Sequence, residues 1–137
     1  MTSLASILDD YAQQGFGGTL GLRITDHDLA EGRLDGVWDP TAVALDHDGH
    51  PYNGAISTVV ESMASLAANA EVRPDGRVVG ASNSTQFLHP PEHTPIAVRA
   101  TRIGTTATQL LWQVTVGTQE DPPAAVGIVR LHRLPLT

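Results

Sequence analysis

Apolar residues recur along the chain at two spacings, and the changes from one to the other divide it into elements. Leu4, Ile7, Leu8 and Tyr11 fall at helical intervals, with Ser3 ahead of them as a cap and Gly15 to Gly18 behind them as a stop. Leu20, Leu22 and Ile24 then alternate, which predicts a strand. Asp28 to Gly32 reads as a turn, Arg33 to Trp38 as a second strand, and Asp39-Pro40 as its end. A loop rich in Asp, His and Gly follows from Thr41 to Asn53. The longest helical signal runs from Gly54 to about Glu71, with Ile56, Val59, Val60, Met63, Ala67 and Ala70 as its apolar stripe and Asn53 as the expected N-cap. Arg73-Pro74-Asp75-Gly76 stops it. Four strands complete the pattern: Val78 to Leu88, Ile96 to Ile103, Ala107 to Thr118 and Ala124 to Leu134. Consecutive strands with short turns predict an antiparallel sheet, and one long apolar helix predicts a cover for one of its faces. The expected class is α+β.

The central helix carries one anomaly. Between Gly54 and Ala70, Glu61 is the only charged residue. A helix apolar nearly all round is buried, and a buried carboxylate needs partners or a function. Ser57, Glu61, Ser65 and Asn69 recur every four residues as one polar stripe, the pattern of a helix facing a ligand cavity, a subunit interface or solvent. The first amides of any helix lack intrahelical partners and sit at the positive end of its dipole. Asn53 and Gly54 therefore offer N–H groups to a developing oxyanion, and Glu61 lies about two turns along.

Composition narrows the classes. The 137 residues suit one domain, and no run of about 18 apolar residues predicts a membrane span. No basic, apolar N-terminal leader is visible, and there is no cysteine, so disulfide and thiolate chemistry are excluded and a cytoplasmic home is expected. The net charge is −7, and all eight basic residues are arginine, which argues against a nucleic-acid binder and against a Schiff-base lysine. Arg99 with Arg102, and Arg73 with Arg77, form close pairs that read as solvated surface. Asp46, His47, Asp48 and His50 resemble a metal-ligand set only in composition, and no metal is expected. His89 and His93 flank Pro90-Pro91 as turn residues. No Gly-x-Ser-x-Gly elbow, phosphate loop or dinucleotide fingerprint is present.

Asp46-x-x-Gly49-x-x-Tyr52-Asn53-Gly54, then Glu61-Ser62 and Ser65, resembles the motif of the hotdog-fold acyl-CoA thioesterases of the phenylacetate-degradation and 4-hydroxybenzoyl-CoA type. That family has an amide side chain, two residues, Gly, two residues, His-Gly-Gly, then six residues to an acid. The run from Val79 to Pro90 resembles its third strand, and the resemblance covers about residues 15 to 134. It implies a hotdog fold, an antiparallel sheet wrapped around one central helix. It also implies a single domain over residues 1–137, with an N-terminal helix over 1–14 before the core. Dimers or tetramers with interfacial sites are expected, and no cofactor beyond the coenzyme A of the substrate. Carried over, Glu61 is general base or nucleophile, the Asn53 and Gly54 amides hold the oxyanion, and Ser65 positions water or the carboxylate. Asn83, Ser84 and Thr85 lie on the strand that often completes the partner's site.

Three positions depart from the pattern: Tyr52 stands for the histidine, Asn53 for the first glycine and Asp46 for the amide. Tyr52 retains a donor for a thioester carbonyl, Asp46 is ordinarily ionised, and His50 is the nearest imidazole in sequence. Hydrolysis of an acyl-CoA, or of an acyl-carrier-protein thioester, is the leading expectation. A non-catalytic acyl- or CoA-binding protein and an enoyl-CoA hydratase-like enzyme are the alternatives.

Overall fold

The computed structural model describes residues 3–136. Helix α1 (Leu4–Gln13) begins at the expected cap, where the Ser3 side chain accepts from the Ser6 amide at 3.1 Å. The glycines behind it do not simply end a helix. They fold into a second short one, α2 (Phe16–Leu20), so Leu20 is helical and strand β1 (Leu22–Asp28) starts two residues later than expected. Gly21 makes this possible: it closes α2 at φ 103°, and a Cβ there would collide with the Asp39 carbonyl.

The remaining strands are β2 (Arg33–Trp38), β3 (Gly76–Phe87), β4 (Ile96–Thr105), β5 (Gln109–Val116) and β6 (Ala125–Pro135), and α3 spans Asn53–Val72. All six strands form one antiparallel sheet in the order β1-β2-β4-β5-β6-β3. After β2 the chain crosses the concave face as α3, lays β3 down at the far edge, and returns to place β4 beside β2. The sheet is thus wrapped around α3, as the hotdog resemblance implies.

The core lies between α3 and the sheet. Val59, Val60, Met63, Ala64 and Ala67 are fully buried against Trp38, Val98, Trp112, Val114 and Leu131. Each large side chain there contributes about 1.5–3 kcal/mol of transfer energy. Gly127 lets β6 press on the helix, because a Cβ there would overlap the Val60 side chain. Trp38 donates its indole N–H to the Leu20 carbonyl at 2.9 Å, tying α2 to the sheet.

The two sheet edges differ. The edge at β1 is covered by α1: Asp9 accepts from the Ile24 amide at 2.8 Å and pairs with Arg23, while Gln13 donates to the Leu22 carbonyl at 2.8 Å. At the other end β3 pairs only with β6, and from Val79 to Phe87 every residue except half-buried Thr85 is exposed. No helix among the described residues is long and apolar enough to cross a membrane.

Candidate active site

Three residues of the polar stripe of α3, Ser57, Glu61 and Asn69, meet β3. Asn83 Nδ2 donates to the Ser57 carbonyl at 3.0 Å and to its Oγ at 3.3 Å. Thr85 Oγ1 donates to Asn83 Oδ1 at 2.8 Å, which holds that carboxamide in place. About three turns on, Asn69 Oδ1 accepts from the Val78 amide at 3.0 Å. The stripe therefore ties the helix to the edge strand at both ends, with Glu61 between the ties.

Glu61 sits against Gly80. A Cβ at that position would overlap Glu61 Oε1, so the glycine provides the space for the carboxylate. The strand also changes register between Gly80 and Ser82, and a bulge beside a functional group is a common way to aim a side chain. Glu61 Oε2 is buried and has no hydrogen-bond partner among the described residues. Burial pushes the Glu61 carboxyl above its ordinary pKa of 4.5, and the Asn83 carboxamide opposes only part of this. A desolvated carboxylate with a raised pKa is a stronger proton acceptor near neutral pH than an exposed one. Gly80 carries no chemistry of its own to mark it in the sequence. Its one signal was a glycine inside a strand pattern, which marks a bulge or a close approach.

The helix entrance forms the other half. Tyr52, not Asn53, is the N-cap: it is extended at φ −60° and ψ 147°, and its carbonyl accepts from the Ile56 amide at 3.0 Å. The Tyr52 amide is itself held by the Ala44 carbonyl at 2.9 Å, so the loop sets where the helix begins. Asn53 is the first helical residue, and its amide and that of Gly54 have no intrahelical acceptor. Asn53 and Gly54 are both exposed, and a Cβ on Gly54 would meet nothing within 4 Å. Tyr52 is 53% exposed beside them.

The other expected residues divide. Asp46 turns inward on its own loop, accepting from the Asp48 amide at 2.9 Å and the His50 amide at 3.0 Å. Those backbone bonds, the His50 one foremost, hold its carboxyl below the ordinary value, so it is an ionised turn-former. His50 is exposed and lines a small depression with Pro40, Leu45 and Pro91, apart from Glu61. Asn83 and Thr85 face the helix, whereas Ser84 alternates to the opposite face and accepts from Gln86 at 3.4 Å. Ser65 lines a depression with Ser62 and Leu66 and makes no side-chain hydrogen bond to Glu61 among the described residues. The one grouping of described residues with metal-ligand proximity is His89, Glu92 and Glu120. Both His89 ring nitrogens there face carbonyls, those of Pro90 and Pro122, each at 2.8 Å.

The carboxylate in its glycine cradle and the helix N-terminus lie on one helix wrapped by a single antiparallel sheet, which is the hotdog fold. The thioesterase superfamily pattern matches residues 48–125, which include both halves of the site. A Mycobacterium tuberculosis protein named as an esterase is 32% identical over 124 residues, covering 87% of this chain and 86% of its own. The crystal structure of AziG from S. sahachiroi is 34% identical with a TM-score of 0.76, covering 89% of this chain and 98% of that one. A Haemophilus influenzae thioesterase has the same fold at a TM-score of 0.88 and 20% identity, covering 99% and 94%. The chain belongs to the thioesterase superfamily and is a hydrolytic enzyme acting on thioesters.

Proposed function

We propose that the protein hydrolyses acyl-CoA thioesters with Glu61 as general base. The observation that carries this reading is the orphaned, desolvated Glu61 Oε2 in the space left by Gly80. Glu61 removes a proton from water, the resulting hydroxide adds to the thioester carbonyl, and the Asn53 and Gly54 amides receive the oxyanion. Collapse expels the coenzyme A thiolate, which takes the proton back from Glu61. In this reading Tyr52, exposed at the helix entrance, donates a hydrogen bond to the same carbonyl oxygen.

These two halves are too far apart within one chain. Gly54 and Glu61 are separated by seven residues, roughly 10 Å along a helix, whereas reacting atoms must approach to about 3–3.5 Å. The site is therefore completed between two copies, Glu61 of one protomer meeting the helix entrance of its partner. The open edge of β3 supports this assembly, since unpaired strands are ordinarily paired or covered and α1 already covers the other edge. A homodimer, or two of them as a tetramer, is the assembly this favours. A CoA substrate fits action in the cytoplasm.

The test is CoA release from a panel of aliphatic and aromatic acyl-CoA esters by wild type and Glu61→Gln. A loss of about 10²–10⁴-fold is expected. Equal rates would remove Glu61 from the mechanism. Tyr52 in the histidine position favours a second reading, a non-catalytic acyl-CoA binder. Tight binding without turnover across the panel would select it.

A further inference from the structure

An apolar trough runs along α3 beside α1, and its near end is reached from Glu61 through Ser62, the next residue in sequence, and Ser65, one helical turn further on. At that end Ser62 and Ser65 form the floor and Phe16 the wall. Tyr11, Leu66 and Asn69 line this depression and also the larger one beyond it, so the two adjoin along these residues. The larger part has a volume of about 510 Å³, the size of a ligand site and not of a packing defect. Leu4, Ile7 and Leu8 of α1 form one wall, Val78 of β3 the other, and Ala70 continues the floor. The α1 wall lies outside residues 48–125, which the superfamily pattern matches.

The far end is marked by charge. Arg73 and Arg77 line it, and neither has an acidic or hydrogen-bonding side-chain partner among the described residues. This is notable in a chain of net charge −7, where Arg23, Arg33, Arg99 and Arg102 are each engaged by Asp9, Asp26, Asp35 or Glu71. From Glu61 to Arg73 is twelve residues, roughly 18 Å along the helix axis. An extended hydrocarbon chain spans such a distance, and two guanidiniums at its end suit a carboxylate.

Resting on the thioesterase reading above, we propose that this trough holds the acyl group of the substrate, and that the preferred acyl group is a medium-length hydrocarbon chain ending in a carboxylate held by Arg73 and Arg77. The preferred ester is then the CoA monoester of a dicarboxylic acid. The apolar walls exclude a short acyl group from productive binding energy, and the arginines discriminate between chain ends.

The experiment compares kcat/KM for dodecanedioyl-CoA monoester, lauroyl-CoA and acetyl-CoA in wild type, Arg73→Gln/Arg77→Gln and Ile7→Trp. All three substituted residues are exposed, so the folded protein is retained. Wild type is expected to prefer the dodecanedioyl ester over lauroyl-CoA at least tenfold, and the double arginine variant to reduce that ratio to about one. Ile7→Trp narrows the trough and is expected to lower both long esters at least tenfold relative to acetyl-CoA. No preference for the carboxylate-ended chain, or a preference unchanged in the arginine variant, overturns the proposal. An equal fall for all three esters also overturns it, because the arginines would then hold the coenzyme and not the acyl end. Should no ester be turned over, hydrolysis itself fails. The trough is then judged by calorimetric binding of the inert thioether analogue of the dodecanedioyl ester, which must weaken at least tenfold in the arginine variant for the proposal to stand.

Discussion

Replacing Gly80 by alanine tests the carboxylate cradle without touching a reacting group. The added methyl would overlap Glu61 Oε1, while the backbone at Gly80 is not in the left-handed region and accepts alanine. Ordinary contact between such atoms needs about 3.5 Å, so the carboxylate must retreat by roughly an ångström or more. Displacement of that size at a reacting group costs about 10²-fold in rate. That corresponds to about 2.7 kcal/mol of transition-state stabilisation. Stability responds differently. The far end of a glutamate moves cheaply, and exchange of glycine for alanine in a compatible conformation adds about 0.4–1 kcal/mol through the unfolded state. Gly80→Ala should therefore keep or raise Tm in calorimetry while kcat/KM for an acyl-CoA falls about a hundredfold in a thiol-release assay. The reasoning fails if activity stays within twofold of wild type, or if activity and Tm collapse together, since the second result would make Gly80 a folding residue.

Other sites make separate demands. Asp9 is buried, which works against its charge. The Arg23 guanidinium, the Ile24 amide and the Gln13 carboxamide nevertheless hold its carboxyl below the ordinary 3.8. Asp9→Asn should cost about 1–3 kcal/mol, read as a lower Tm at neutral pH. Because the folded value is depressed, that advantage of wild type is present above pH 3.8 and disappears as pH falls through the lowered value. His89 behaves oppositely. Hydrogen bonds to the Pro122 and Pro90 carbonyls, with Glu120 and Glu92 near, raise its pKa above 6.5, and only the imidazolium donates from both nitrogens. The Tm gap between wild type and His89→Ala should be full below pH 6.5 and close as pH rises through the raised value; a gap that is flat from pH 5 to 9 would count against it. Tyr52→Phe should lower kcat about tenfold with Tm unchanged, the loss of one hydrogen bond to the carbonyl oxygen. In wild type, the acid limb of kcat/KM should lie above the ordinary carboxylate value of 4.5, because burial raises Glu61; a limb at or below 4.5 would place the titrating base elsewhere.

Much of this architecture is legible in residue order because its signals are local. The period of Ile56, Val59, Val60 and Met63 encodes a buried helix, and the alternation in Gln109–Val116 encodes a strand with one face in the core. Both patterns follow from backbone geometry within a few residues. The structure departs from the local pattern where one signal is compatible with two outcomes. The glycines at 15–18 stop a helix, yet they also permit the tight turn into α2. Asn53 is a good N-cap by type, but the bond from the Tyr52 amide to Ala44 sets the cap one residue earlier. Asp46 and His50 share a loop with Tyr52 but not its direction, since Asp46 is consumed by its own turn.

The sequence by itself established that Glu61 is a lone charge in a buried helix, because burial and polarity are both encoded by residue type and helical period. Only the tertiary structure decided what surrounds it. Strand β3 reaches α3 from the far edge of the sheet, so the facing of Gly80 and Asn83 toward Glu61 and Ser57 depends on the strand order and on the bulge between Gly80 and Ser82. The same holds for Arg73 and Arg77. In sequence they are a pair of surface charges, and the packing of α1 beside α3 turns them into the end of a trough. Contacts between residues distant in the chain are set by how elements pack, and that arrangement has no local period to read.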